Sequence, residues 1–228
     1  VMEAELRALE KVRNKPAHPC VYVLGGAKAE DSASVARAVL SQGIADKVLT
    51  GGLVANLFLH ASGRDLGEPN VRLLEKKGFL DLVPEVKRLL SEFGDRIMLP
   101  SDLAVDREGV RKNVEVGRLP VDYPIKDIGD ATANAYAEVL REARTIVMNG
   151  PMGVFEERAF AKGTERVFKA IVESGGFSLI GGGHTIAAAR QLGYIDKVSF
   201  VSTGGGALMQ YLSKGTLPAI EVLKKYSR

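Results

Sequence analysis

Five short glycine clusters, each set directly after an apolar, β-branched run, constrain this chain more than any other feature. Cys20-Val21-Tyr22-Val23-Leu24 leads into Gly25-Gly26-Ala27-Lys28, and Lys47–Thr50 leads into Gly51-Gly52. Thr145–Met148 leads into Asn149-Gly150-Pro151-Met152-Gly153, and Phe177–Ile180 into Gly181-Gly182-Gly183-His184-Thr185. The run Val198–Val201 is followed by Thr203-Gly204-Gly205-Gly206, while a further run, Arg96–Leu99, has no cluster. These clusters hold 12 of the 25 glycines, so glycine is placed rather than scattered.

The runs are apolar on both faces, which predicts buried parallel strands. Helical periodicity fills the gaps between them, at Ser32–Leu40, Leu53–Ala61, Leu82–Phe93, Thr132–Ala143, Thr164–Glu173 and Thr185–Leu192. Strand alternating with helix predicts an α/β fold with a parallel sheet and right-handed crossovers. Residues Arg111–Asp122 break the rhythm. Val114, Val116 and Leu119 around Gly117 predict a small β-hairpin on the rim. Met2, Leu6 and Leu9 recur at helical spacing among charged residues, so the chain opens on an amphipathic helix. That helix has no N-cap before it, which points to a chain cut at its start.

Composition excludes several classes. Hydrophobic residues at 46% and charged residues at 26% match a globular protein with a real core. No apolar run approaches the roughly 20 residues of a membrane span, and no signal-peptide pattern opens the chain. The net charge of +3 is small and spread, so neither nucleic acid nor a membrane surface is expected as a partner. A lone cysteine, Cys20, cannot form an internal disulfide, which fits a reducing cytoplasm.

The carboxyl ends of strands in an open parallel sheet form a ligand crevice. Glycine there lets backbone N–H groups approach a ligand closely, and a helix starting just beyond adds donors suited to phosphate. One glycine pair is as well explained by a tight turn; five clusters on one edge are not. There is no G-x-x-x-x-G-K-[ST] loop and no G-x-G-x-x-G fingerprint, so neither a P-loop enzyme nor a dinucleotide dehydrogenase is indicated. Phosphate binding would be assembled from several loops. Lys28 is the one basic Lys or Arg inside the clusters and would supply a point charge. Glu156 would accept ribose hydroxyls or cap the helix that follows. His184 would donate to phosphate or serve structure. Asp102 and Asp106 would bind metal or cap a turn, and the turn is preferred.

The strings V-L-G-G-A-K (23–28), N-G-P-M-G-V-F-E (149–156), G-G-G-H-T (181–185) and S-T-G-G-G-A (202–207) stand in one order along almost the whole chain. In that order and spacing they resemble the C-terminal domain of phosphoglycerate kinase, most closely its archaeal branch. The resemblance implies a three-layer Rossmann-like domain with a mainly parallel six-stranded sheet plus the small β-hairpin. Residues 1–14 would end the interdomain helix, and residues 15–228 would form the nucleotide-binding domain. The N-terminal phosphoglycerate-binding domain would be absent.

The family moves a phosphoryl group between 1,3-bisphosphoglycerate and ADP, with Mg²⁺. By resemblance, Gly26, Ala27, Gly51, Gly52, Pro151 and Val154 would line the adenine and ribose slot, with Gly150 and Gly153 in the same loop. Glu156 would hold the ribose. Asn149, Lys28 and Thr185 would reach the phosphates, beside Gly181, Gly182 and His184. Gly183 and Gly206 would offer N–H groups to the phosphoryl in flight.

Two departures stand out. Ser32 occupies the place of a second lysine, and His184 the place of an aspartate near the metal. Imidazole is a poor partner for Mg²⁺, which prefers oxygen. The chain alone would bind ADP or ATP without turning over. The alternative is a stand-alone nucleotide-binding module with no catalytic activity of its own.

Overall fold

The computed structural model describes residues 2–226. The last two residues of the expected 15–228 domain, and residue 1 of the expected 1–14 segment, lie outside the described residues. In chain order come α1 (Met2–Arg13), β1 (Cys20–Leu24), α2 (Ala29–Ser41), β2 (Lys47–Thr50), α3 (Gly52–Ala61) and α4 (Glu68–Lys76). They are followed by α5 (Val83–Phe93), β3 (Ile97–Met98), β4 (Asp102–Arg107), β5 (Val110–Glu115), β6 (Ile125–Ile128) and α6 (Asp130–Arg141). The chain continues through β7 (Thr145–Asn149), α7 (Lys162–Glu173), β8 (Phe177–Gly181), α8 (Gly183–Gln191), β9 (Phe200–Ser202), α9 (Gly206–Lys214) and α10 (Pro218–Tyr226).

Six strands form one parallel sheet in the order β3-β2-β1-β7-β8-β9. The order reverses between β1 and β7, and that switch point is where ligands enter open α/β sheets. Strand β1 shows why the sheet is central. All five of its residues are buried, with Tyr22 and Leu24 packed in one core and Val21 and Val23 in the other. Alternate side chains of a strand point to opposite faces, so β1 has a helix layer on each side. Helix α1 is tied in at both ends. The Tyr22 hydroxyl donates to Val12 O at 2.8 Å, Arg13 Nε donates to Leu212 O at 3.0 Å, and the Ser202 hydroxyl donates to Glu5.

The small antiparallel sheet differs from the predicted hairpin. It has three strands in the order β5-β4-β6, and its tight turn lies at Glu108-Gly109, not at Gly117. Glu108 and Gly109 have φ of +54° and +84°, and two residues at positive φ make the hairpin turn whose twist suits antiparallel strands. Residues Val116–Arg118 form a single 3₁₀ turn instead. The predicted third and sixth strands also shift. Arg96–Leu99 contracts to Ile97–Met98, and Val198–Val201 moves to Phe200–Ser202.

Candidate functional site

The glycine loops meet one another at the carboxyl edge of the parallel sheet. Gly25 N donates to Asn149 O (2.9 Å), Gly26 N to Pro151 O (2.8 Å) and Gly52 N to Met152 O (2.9 Å). Gly150 N donates to the Thr185 hydroxyl at 2.6 Å. The loops after β1, β2 and β7 are thus joined by backbone hydrogen bonds, and the start of α8 by the Thr185 hydroxyl, before any ligand is considered.

Two kinds of glycine emerge from this packing. A Cβ on Gly150 would lie 2.1 Å from Gly25 O, and its φ of +95° is costly for other residues. Gly25, Gly51 and Gly181 are likewise crowded by neighbouring loops or Leu208, so they serve close packing. Gly183 and Gly206 are different. A Cβ on either would meet nothing within 4 Å, so the protein's own packing does not demand glycine there. Both are first residues of helices, α8 and α9, whose leading N–H groups lack intrahelical partners.

Between these loops and the small sheet lies a cavity of about 290 Å³, near the lower end of small-ligand sites. Of the predicted residues, Gly26, Ala27, Gly52, Pro151, Gly153, Val154, Glu156 and His184 line it. Glu156 and His184 are exposed at its rim. Gly51 lies behind the wall against Met152. Lys28 is exposed at the N-cap of α2 and joins no ion pair among the described residues. Asn149 is buried, its Nδ2 has no partner, and Gly182 packs against that amide. Thr185 is fully buried and serves Gly150.

Both aspartates do structural work. Asp102 accepts the N–H groups of Ala131 and Thr132 at the start of α6, at 3.1 and 2.8 Å. Asp106 accepts Gly109 N–H at the hairpin turn and pairs with Lys126. Among the described residues no cluster of three His, Cys, Asp or Glu could hold a metal.

Several wall residues carry no sequence signal of their own: Asn56 on α3, and Ile125, Lys126 and Asp127 on β6. Asp127 accepts Arg111 Nη1 at 2.8 Å and the N–H groups of Gly163 and Ile128, each at 2.9 Å. Burial pushes its carboxyl up to about 6, against the pull of Arg111 and those N–H groups. Lys126 O accepts Val154 N–H at 2.8 Å, while its ammonium holds Asp106 and Glu157. Attachment of β6 to the 149–156 loop closes one wall of the cavity.

A parallel α/β sheet with a cavity over its switch point, and helix N-termini opening beside it, is the arrangement at which open α/β sheets take their ligands. The chain belongs to the phosphoglycerate kinase family, whose model matches residues 1–215. It is 47% identical to the phosphoglycerate kinase of Methanococcus maripaludis over 227 residues, 99% of this chain and 54% of that protein. It is 48% identical to the enzyme of Pyrococcus furiosus, covering 98% of this chain and 55% of the relative. The solved phosphoglycerate kinase of Pyrococcus horikoshii OT3 superposes with a TM-score of 0.91 at 46% identity, over 98% of this chain and 56% of that one. The chain therefore spans about half the length of the relatives it matches. No helix among the described residues is long and apolar enough to cross a membrane.

Proposed function

We propose that this chain is the nucleotide-binding half of a phosphoglycerate kinase, which transfers a phosphoryl group between 1,3-bisphosphoglycerate and ADP in either direction. The observation that carries the reading is the open space over Gly183 and Gly206 at two helix N-termini, with the unpartnered amide of Asn149 beside Gly182. Phosphoryl transfer asks for positioning and charge neutralisation rather than covalent help from the protein. In this reading the base and ribose occupy the cavity, and Glu156 accepts the ribose hydroxyls. Lys28 and Asn149 meet the phosphates. Gly183 and Gly206 present N–H groups to the phosphoryl group in transit. Mg²⁺ arrives as part of the nucleotide substrate, on phosphate and water oxygens.

Residues 1–14 belong, in the same reading, to the helix joining this half to a phosphoglycerate-binding domain, and the cytoplasm is its compartment. Calorimetric titration with MgADP, ADP and NAD tests the binding site, and coupled assay of 3-phosphoglycerate plus ATP tests the missing half. Binding of ADP without turnover is expected. Turnover by the chain at a rate near that of a full-length relative, or binding of NAD in preference to ADP, would overturn the reading.

A further inference from the structure

The sequence contains six asparagines, and one of them, Asn149, is followed by glycine. An asparagine side chain is chemically least stable in that setting. Glycine has no Cβ to shield its backbone nitrogen, so the nitrogen reaches the neighbouring amide carbon readily. The structure leaves little freedom to avoid the pair. Position 150 requires glycine, because its φ is +95° and a Cβ there would lie 2.1 Å from Gly25 O. Position 149 carries a side-chain amide in a residue only 4% exposed, and its Nδ2 has no partner among the described residues. A buried donor left unpaired in the protein asks for an explanation, and an acceptor brought by a ligand supplies one. A labile dipeptide therefore stands at the carboxyl end of β7, in the middle of the ligand edge.

The surroundings restrain the reacting nitrogen. Gly150 N donates to the Thr185 hydroxyl at 2.6 Å, and Thr185 is fully buried. Ring closure needs that nitrogen to give up its proton and turn onto Asn149 Cγ, so this hydrogen bond has to break first. Asn149 is also paired in register with Leu24 on one side and Gly181 on the other, and its carbonyl accepts Gly25 N–H at 2.9 Å. Strand pairing on both sides holds its ψ in the extended range and keeps the nitrogen from swinging round.

We propose that Asn149-Gly150 is a latent deamidation site, held inert in the folded chain by Thr185, and that its conversion silences the nucleotide site. When the loop opens, the Gly150 nitrogen loses its proton to hydroxide and forms a bond to Asn149 Cγ. The Cγ–Nδ2 bond breaks, and Nδ2 leaves as ammonia with a proton taken from water. A water molecule then opens the succinimide at either carbonyl, which leaves aspartate or isoaspartate at position 149. The silencing rests on the nucleotide reading above. There the amide donor meets a phosphate, and the product sets a carboxylate against the same negative charge. Isoaspartate also lengthens the backbone between β7 and its loop. The chain thus carries one slow, irreversible exit from function, reached by local opening rather than by global unfolding.

Peptide mapping by mass spectrometry, after incubation of the 228-residue chain in mildly alkaline buffer, reads the conversion at each asparagine. In folded wild type Asn149 is expected to stay intact, whereas in urea it should be lost faster than the five other asparagines. Thr185→Val removes the acceptor and should convert Asn149 about tenfold faster than wild type while still folded, the rate equivalent of one lost hydrogen bond. Thr185→Ser keeps the acceptor and should protect like wild type. If Thr185→Val does not fold, wild type in rising sub-denaturing urea decides instead, and loss of Asn149 should climb with the open population. Conversion as fast in native buffer as in urea, or a folded Thr185→Val as inert as wild type, would overturn the protection. Asn149→Asp supplies one product directly and should bind ADP about tenfold more weakly, or worse, in calorimetry. Affinity equal to wild type would overturn the silencing. A wild type that binds no ADP would overturn the nucleotide reading and the silencing with it, while the mapping of Asn149 stands on its own.

Discussion

Arg111 Nη1 and Asp127 Oδ2 lie 2.8 Å apart, with 8% and 0% of their side chains exposed, directly behind the cavity wall. The same guanidinium donates to Ala159 O, Ile128 O and Asp130. One side chain on β5 therefore fastens β6, the turn at Arg158–Phe160 and the start of α6. Removing one partner of a buried pair strands the other charge, so Arg111→Ala should cost about 3–5 kcal/mol in urea unfolding. The double change Arg111→Ala, Asp127→Asn, which keeps an acceptor for the Gly163 and Ile128 N–H groups, should cost less than the sum of the two single changes. A double change that costs the sum of the two single changes would mean that the pair contributes nothing as a pair.

The raised carboxyl of Asp127 has a signature in pH. Its folded value of about 6 lies above the ordinary 3.8. Between these values the folded chain holds a proton that the unfolded chain has released. Asp127's contribution to stability therefore falls as pH rises from about 4 to about 6, and levels off above that. Asp127→Asn lacks this titration. The stability difference between wild type and Asp127→Asn should move against wild type across that window. A difference independent of pH from 4 to 7 would contradict the account.

Lys28 gives the cleanest test of phosphate recognition. It is exposed at the start of α2 and, among the described residues, is committed to no ion pair. Lys28→Ala should weaken ADP and ATP by about 1.5–3 kcal/mol, the range for hydrogen bonds to charged groups, while adenosine changes little. Equal losses for adenosine and ATP, read by calorimetry, would assign the lysine to the loop instead.

Glu156 stands exposed at the cavity rim, with room to meet a ribose. Glu156→Gln should weaken ADP more than 2′,3′-dideoxy-ADP, because a charge-assisted bond to a hydroxyl exceeds a neutral one by about 1 kcal/mol. Matching losses for the two ligands would show that the carboxylate only supports its loop.

Ser32, in the place of a second lysine, faces the interior and not the ligand side of α2. As the counterpart of a second lysine, its replacement by Lys would add charge at the phosphates if that face of α2 met the ligand. Ser32 is instead fully buried, and its hydroxyl has no partner. Ser32→Lys should destabilise the chain, because a buried ammonium without a partner carries a large desolvation cost. Ser32→Ala should be neutral or stabilising, since it removes an unsatisfied hydroxyl. Thermal unfolding of both variants decides it, and a stable Ser32→Lys with tighter ADP binding would contradict this account.

The parts legible in the sequence are those buried on both faces. The starts of β1, β2, β7 and β8 agree with the apolar runs, because burial on both sides favours apolar residues over most of each strand. The small sheet was legible as a hairpin, but not its turn or its third strand. Strand β5 (Val110–Glu115) is largely exposed and charged, and Glu108-Gly109 is not among the commonest turn pairs. The glycine clusters marked the right edge of the sheet. They could not separate Gly150, which another loop crowds, from Gly183, which faces open space, because that depends on what the opposing loop brings. Asn56, Lys126 and Asp127 are isolated polar residues in ordinary contexts, and tertiary packing alone brings them to one cavity.

The backbone bonds between Gly25 and Asn149, Gly26 and Pro151, and Gly52 and Met152 also bear on time. These contacts belong to the protein and not to its ligand, so this part of the rim holds its shape when empty. An arriving nucleotide has little loop motion to quench there, which keeps the entropic cost of capture low. Its arrival should register as one fast concentration-dependent phase with no slower rearrangement behind it, and the amides of these three glycines should resist deuterium as well in the empty protein as in the filled one. The N–H groups of Gly183 and Gly206, which their helices leave unclaimed, are among the groups that gain a partner from the visitor.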